Sequence, residues 1–425
     1  MASGLLGGIS GTEIRRRLLA REFSCAELAD ALIDAVGDDP LHAWVSFDPE
    51  RIRRRAALLD RLDGDQQAAL SLLGMPVAIK DIFDTTEEPT EYGSPIYAGH
   101  RAREDAAAVV RLREAGALIA GKVTTAEFAV YSPPSTLNPI DPSRTPGGSS
   151  SGSAAAVGAG TVPLATGTQT AGSINRPASF CGVLGYKPTF GVVDRAGTKR
   201  TSETLDTVGL LGRDLEDLRL ASVALAVQAL EAGVAQHHAQ PPRVAFARTD
   251  LWSRVEPESA AAIEEWVGDL RIDEVELPGY RRLVEAQELI QEFETARSLA
   301  PELEHRALLS ESLVCLIDRG LQISEVDYRA ARAAAVDPGG PLVSRLTGYD
   351  AVLTPSATGV PPVGIVSTGD PLFCRAWTLL GTPSLSVPVV WTHAGLPIGL
   401  QLVAAPGEDR RVFDVAAWLL QNTGS

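Results

Sequence analysis

This chain of 425 residues lacks several features, and each absence excludes a class of function. Its four cysteines (Cys25, Cys181, Cys315, Cys374) are widely spaced and form no CxxC pair. A chain able to bury a large core needs no disulfide staples, so reduced thiols are expected. No His/Cys/Asp cluster has metal-ligand spacing, no GxGxxG follows a strand, and Gly121-Lys122-Val123 lacks the glycine spacing and Ser/Thr of a phosphate loop. Neither a metal nor a cofactor is expected. Met1 to Ile9 carries no basic n-region followed by a long apolar run, so no signal peptide is expected, and no stretch is long enough to span a bilayer. The expected location is cytoplasmic, with no membrane partner.

Positive charge is also scarce. Lys and Arg number 38 against 54 Asp and Glu, a formal net charge of −16 that would repel nucleic acid and anionic lipid. The short run Arg51, Arg53, Arg54, Arg55 lies in a helical pattern with Leu58 and Leu59 and reads as a solvated helix face rather than a nucleic-acid contact. The 39 glycines and 28 prolines are dispersed, with no linker tract and no internal repeat, while 45% hydrophobic residues can fill a large core. One α/β domain spanning 1–425 is the expected organisation.

Apolar periodicity places the elements. Ile14, Leu18 and Leu19 predict an amphipathic helix over Thr12 to Arg21, able to pack on a second copy in a homodimer or on its own core. Ser24-x-x-Glu27 is a capping box opening a second helix, and Thr124-x-x-Glu127 reads as another. The run Met75-Pro-Val-Ala-Ile-Lys80 predicts a buried strand that delivers a lysine to its end. Ala117 to Ala120 reads as a strand after a helix at Val109 to Leu112. Helices are predicted over Leu215–Leu230, Pro257–Leu270 and Tyr280–Leu309, with strands at Arg243–Ala247 and Glu274–Leu277. Strands return at Ala351–Leu353, Ser384–Val390 and Leu400–Ala404, before a closing helix at Asp409–Leu420. This alternation implies a mixed or parallel sheet covered on both faces.

Residues 145–191 stand apart, crowded with Gly, Ser, Thr and Ala. Apolar runs at Ala154–Val157, Val162–Ala165 and Val183–Leu184 argue against a flexible linker. Close backbone packing around a site accounts for the composition better.

The stretch from Gly147 to Thr189, within TPGGSSSGSAAAVGAG continuing through GTQTAGSINRPASFCGVLGYKPT, resembles the amidase signature family. So do Gly74-Met-Pro-Val-Ala-Ile-Lys-Asp81, Ala115 to Val123, Asn138-Pro139 and Gly395 to Leu402. The resemblance implies the amidase signature fold: a central mixed β-sheet flanked by α-helices on both faces. The catalytic core would take about 65–215 and 345–425, and a variable helical region about 230–335 would shape the pocket. It further implies Lys80 as the catalytic lysine, Ser149 as the bridging serine in a cis peptide, and Ser173 as the nucleophile. Ser150 and Thr168 match supporting polar positions, although turn and cap chemistry explains such residues equally well.

A serine hydroxyl needs a positioned base, and a buried lysine is a base because desolvation lowers its pKa. Lys80 would draw a proton through Ser149 from Ser173 and return it to the leaving amine. Backbone N–H groups of Thr170, Ala171, Gly172 and Ser173 would form the oxyanion hole, each donor worth about 3–4 kcal/mol. Three positions depart from the family pattern: Gln169 replaces an acid, Ala171 a glycine, and Arg176 stands one position late after Asn175. An Ala171 methyl requires that its φ avoid positive values.

The implied function is hydrolysis of a small-molecule carboxamide through an acyl-enzyme on Ser173. Two alternatives belong to the same family resemblance: the glutaminase (A-type) component of a tRNA-dependent amidotransferase, releasing ammonia from glutamine, and an acyl-transferring descendant. A different enzyme class is offered by Gly148-Ser-Ser-Ser-Gly152, which fits the G-x-S-x-G elbow centred on Ser150 with His237, His238, His305 or His393 downstream. That elbow should follow a strand, whereas Thr145-Pro-Gly-Gly precedes it here. Tyr92, Tyr131, Phe180 and Trp377 are candidates for lining a pocket or for core packing.

Overall fold

The structure, a computed structural model, describes residues 8–37, 39–130, 132–231, 241–336 and 341–422. Tyr131, His237 and His238 lie outside the described residues.

Eleven strands form one mixed sheet among the described residues. They are β1 (Trp44–Ser46), β2 (Pro76–Lys80), β3 (Leu118–Val123), β4 (Leu164–Gln169), β5 (Leu184–Lys187) and β6 (Thr207–Gly212), then β7 (Val244–Ala247), β8 (Asp273–Val275), β9 (Ala351–Pro355), β10 (Ser384–Trp391) and β11 (Pro397–Val403). Their order is β1-β3-β2-β4-β6-β5-β10-β11-β9-β7-β8. β2 runs parallel to β3 and β4, β7 parallel to β8 and β9, and the intervening pairs are antiparallel.

Every residue of β2, β3, β4 and β6 is buried, which is why these strands show no apolar–polar alternation in sequence. Alternation survives instead as a division between two cores. Val77 and Ile79, Leu164, and Val208 and Leu210 enter one hydrophobic cluster, whereas Ala78, Ala165 and Leu211 enter the other. The second cluster is closed by the first two helices through Ile14, Leu18, Leu28 and Leu32 and by Ala154 to Val157. The first helix thus packs on its own core, its N-terminal Gly11 and Thr12 N–H groups bonded to the Asp217 carboxylate at 2.6 and 2.7 Å.

Most predicted elements form close to their expected bounds, and four expectations fail for local reasons. Thr124-x-x-Glu127 opens no helix: a three-residue 3-10 turn, Glu127–Ala129, is broken by left-handed Phe128 and Ala129. The Thr124 hydroxyl pairs with Thr136 rather than capping. The helix begun at Leu215 stops at Ala224, and Ala226 then adopts φ 73°. The helix from Tyr280 stops at Ser298, and Pro301 starts a separate 3-10 segment, where a proline's missing N–H and fixed φ suit a first helical position. Arg51 is not solvated: it is 4% exposed, paired with Glu88 and bonded to the carbonyls of Ile119 and Ala120. The exposed arginines of that run are Arg53 and Arg54. All four cysteines are free thiols.

Candidate active site

The carboxyl ends of parallel β2 and β4 adjoin, and open α/β sheets place their reactive groups at such ends. Lys80 closes β2. Its main-chain N–H donates to the Thr166 hydroxyl at 2.9 Å, tying the strand end to β4. Its Nζ donates to Ser149 Oγ at 2.8 Å and to Thr168 Oγ1 at 2.7 Å. The side chain is fully buried. Burial pushes the Lys80 pKa down to about 7, against an opposing pull from the Asp206 carboxylate.

Two other lysines, Lys122 and Lys187, are as deeply buried, and their surroundings distinguish Lys80. Burial pushes the Lys122 pKa down as well, but Lys122 faces Asp81 at 2.9 Å, a carboxylate that pulls it back toward the charged form. Lys187 donates to the carbonyls of Pro188 and Thr382, which can only accept and so require a donating amine. Both of the Lys80 Nζ partners are hydroxyls, which can accept from an ammonium or donate to a neutral amine. Proton exchange therefore has a route at Lys80.

Ser149 follows a cis Gly148–Ser149 peptide. Its segment is held carbonyl by carbonyl: Gly147 accepts from Ser151 Oγ at 2.7 Å, Gly148 from Arg176 at 2.6 Å, and Ser149 from the Ala126 N–H at 3.1 Å. Gly147 has φ +80°, and a Cβ there would lie 2.9 Å from Pro177 Cα, so glycine is required on both counts. Arg176, the late arginine, also reaches Gly369 O and Thr368 Oγ1 at 2.8 and 3.1 Å. Asn175 occupies the earlier position and donates to Ser384 Oγ and Gln401 Oε1, both at 2.8 Å. The displaced arginine thus fastens the serine-bearing loop to segment 368–369.

Ser173 sits on the loop after β4, 7% exposed, and its carbonyl meets the Ser150 N–H at 3.4 Å. The loop ahead of it is oriented from outside. Thr170 O accepts from Gln287 Nε2 at 2.9 Å, Ala171 O from Thr378 Oγ1 at 2.8 Å, and Gly172 O from the Arg176 N–H at 3.0 Å. In a trans peptide the N–H points opposite to the C=O. Three carbonyls so engaged leave the N–H groups of Ala171, Gly172 and Ser173 each pointing away from its carbonyl's partner. Ala171 avoids positive φ, so its methyl adds no left-handed strain.

Gln169 explains itself in the same geometry. Its Oε1 accepts from the Ile174 and Asn175 N–H groups at 2.9 and 3.1 Å, while its Nε2 donates to Thr378 Oγ1 at 3.1 Å. A side-chain oxygen caps the helix Asn175–Cys181 without a charge.

The structure thus brings Lys80, Ser149 and Thr168 into direct contact, while Ser173 is joined to the serine-bearing segment through its carbonyl on the Ser150 N–H, and among the described residues no hydrogen bond links its hydroxyl to Ser149. Ser150 lends its N–H to the Ser173 carbonyl, but its buried hydroxyl has no hydrogen-bond partner among the described residues. It begins the helix Ser151–Gly158, and no strand precedes it between residues 124 and 150 among the described residues, contrary to the elbow. Of the aromatic candidates, Trp377 packs on Tyr280, Phe180 abuts Gly147 and Gly369, and Tyr92 joins Tyr97 and His100.

Asp206 carried no motif signal. It accepts from Thr170 Oγ1 at 2.5 Å and from the N–H groups of Thr201 and Ser202 at 2.8 and 2.9 Å, while burial raises its pKa. A small cleft beside it is lined by Ala129, Thr168, Thr170, Arg195 and Lys199. A separate cavity of about 420 Å³, lined by Asp81, Glu91, Glu127 and Ser310, holds none of the presumed catalytic side chains. Among the described residues no group of three or more His, Cys, Asp or Glu could hold a metal ion, and no helix is long and apolar enough to cross a membrane.

Compared with known proteins, residues 27–413 match the model of the amidase family. The sequence is 31% identical to the A-type component of glutamyl-tRNA(Gln) amidotransferase from Symbiobacterium thermophilum, over 97% of this chain and 96% of that relative. Among solved structures, an amidase superposes with a TM-score of 0.85 at 30% identity, covering 98% of this chain and 100% of the other. A chain from a vestigial protein complex bearing on the origins of an s-triazine catabolic enzyme reaches 0.88 at 27% identity, covering 98% and 99%.

Proposed function

The chain belongs to the amidase signature family, and on that premise we propose that it hydrolyses the C–N bond of a small-molecule carboxamide through an acyl-enzyme on Ser173. The observation that carries the proposal is the Lys80 amine, buried, depressed to about 7 and hydrogen-bonded to Ser149 Oγ. Ser173 Oγ attacks the amide carbon, its proton passing to Ser149 Oγ as the Ser149 proton passes to Lys80 Nζ. The carbonyl oxygen becomes an oxyanion facing the N–H groups of Ala171, Gly172 and Ser173. Collapse breaks the C–N bond, and the relay runs backward to protonate the leaving amine. Water then attacks the Ser173 ester by the same relay, releasing the carboxylic acid and restoring the hydroxyl.

Labelling with a fluorophosphonate probe, followed by intact mass and peptide mapping, tests this in wild type, Ser173→Ala and Ser150→Ala. Label lost in Ser173→Ala alone supports the assignment. A label mapping to Ser150 overturns it.

The amidotransferase relative favours a second reading, in which the chain releases ammonia from glutamine as one component of a complex. Ammonia release from glutamine that appears only with partner proteins and tRNA would favour it; turnover of other amides by the purified chain alone favours the stand-alone amidase.

A further inference from the structure

We infer that Gln287 is a positioning residue for the oxyanion loop, so that a helix of the region expected to be variable sets the rate of acylation. The inference rests on Ser173 as nucleophile. Gln287 lies in the helix Tyr280–Ser298 and is fully buried. Its Nε2 donates to Thr170 O, and this bond fixes the Thr170–Ala171 peptide plane and thereby the direction of the Ala171 N–H.

The amide cannot present its other end. Gln287 Oε1 accepts from the Arg375 guanidinium, which has donors and no acceptor. Gln291 Oε1 takes bonds from Arg375 at 3.0 Å and from Gln287 Nε2 at 3.2 Å, and all three side chains are buried. A residue without the Nε2 group would leave the Thr170 carbonyl buried without this donor, and its peptide plane without a stop.

The same helix also holds the other side of Thr170. Glu294, seven residues on and therefore on the same face, accepts from Ser202 Oγ, from the Thr204 N–H at 3.0 Å and from Thr204 Oγ1 at 2.7 Å. The turn so fastened carries Asp206, which takes the Thr170 hydroxyl. Main chain and side chain of Thr170 are thus both referred to one helix, and substitutions along that polar face act on the reacting centre without touching substrate.

The test measures saturation kinetics of fluorophosphonate labelling at Ser173 in the full chain. Gln287→Leu and Gln287→Glu should each lower the maximal labelling rate about 10- to 100-fold, below the full loss of an oxyanion donor, with the half-saturating probe concentration unchanged within about twofold. Glu285→Ala, an exposed position on the same helix, should label at the wild-type rate. Gln287→Glu keeps the Arg375 contact and nearly the same volume, so it serves where Gln287→Leu fails to fold. Wild-type rates in Gln287→Glu, or a loss confined to half-saturation, overturn the inference, as does failure of both variants to fold. A wild type that carries no label at Ser173 refutes the acyl-enzyme reading instead.

Discussion

Replacing Lys80 by methionine should make the protein inactive yet more stable, and the gain should depend on pH in a way that only this lysine explains. A lysine titrating at about 7 in the folded chain and at 10.5 in the unfolded one binds its proton more tightly when unfolded. Between those values the unfolded state carries more protons, so stability rises with pH across the window and the cost of the buried amine is greatest below it. The lysine then costs about 5 kcal/mol at pH 6.5 and about 2 kcal/mol at pH 9. Methionine removes that term and also the bonds to Ser149 and Thr168. Losing those bonds shifts the stability by an amount that depends little on pH, so the difference between the two pH values isolates the titration. Urea denaturation of wild type and Lys80→Met at pH 6.5 and pH 9 should show the variant's advantage shrinking by about 2–3 kcal/mol. A constant difference would refute the depressed pKa. A constant difference is also what a Lys80 held protonated by Asp206 at both pH values would give, and such a lysine cannot serve as the base.

Labelling of Ser173 should rise with pH along a limb centred near 7, and Asp206→Asn should move that limb to lower pH, because the carboxylate raises the Lys80 pKa. An unmoved limb would remove Asp206 from the electrostatics of the base. Gln169→Leu strips the acceptor from the Ile174 and Asn175 N–H groups and should lower unfolding free energy by about 1–3 kcal/mol in urea titrations, whereas Gln169→Glu, which keeps that acceptor, should lose less. Arg176→Lys cannot reproduce the fork that reaches Gly148, Thr368 and Gly369, and should cost about 2–3 kcal/mol and slow labelling several-fold. Wild-type labelling in that variant would show that the Gly148 carbonyl needs no anchor.

The sheet was legible where burial is complete and runs are short. Met75 to Lys80 reads as a strand because nothing but apolar residues precedes the lysine, and it is one. Thr124-x-x-Glu127 misled because a capping box is a local signal: tertiary contacts draw the Glu127 carboxylate to Ser94 and the Ser310 N–H, and nothing remains for a helix to use. Arg51 misled for a similar reason. A charge run resembles a solvated face unless one member has a buried acid waiting, and Glu88 lies far along the chain.

The candidate site divides along the same line. Lys80, Ser149 and Ser173 sit in a dense local pattern, so their identity could be proposed from adjacent residues. Asp206, Gln287 and Arg375 act through single side chains brought from three separate segments, and no local spacing marks them. The three departures from the family pattern show why both kinds of information are needed. Read alone, Gln169, Ala171 and Arg176 look like erosion of a catalytic loop. In the structure Gln169 caps the helix after Ser173, Ala171 takes an unstrained φ, and Arg176 carries the bond to the Gly148 carbonyl. Each change is accommodated without replacing a partner of the Lys80–Ser149 hydrogen bond, so altered residues on either side of Ser173 leave that bond in place.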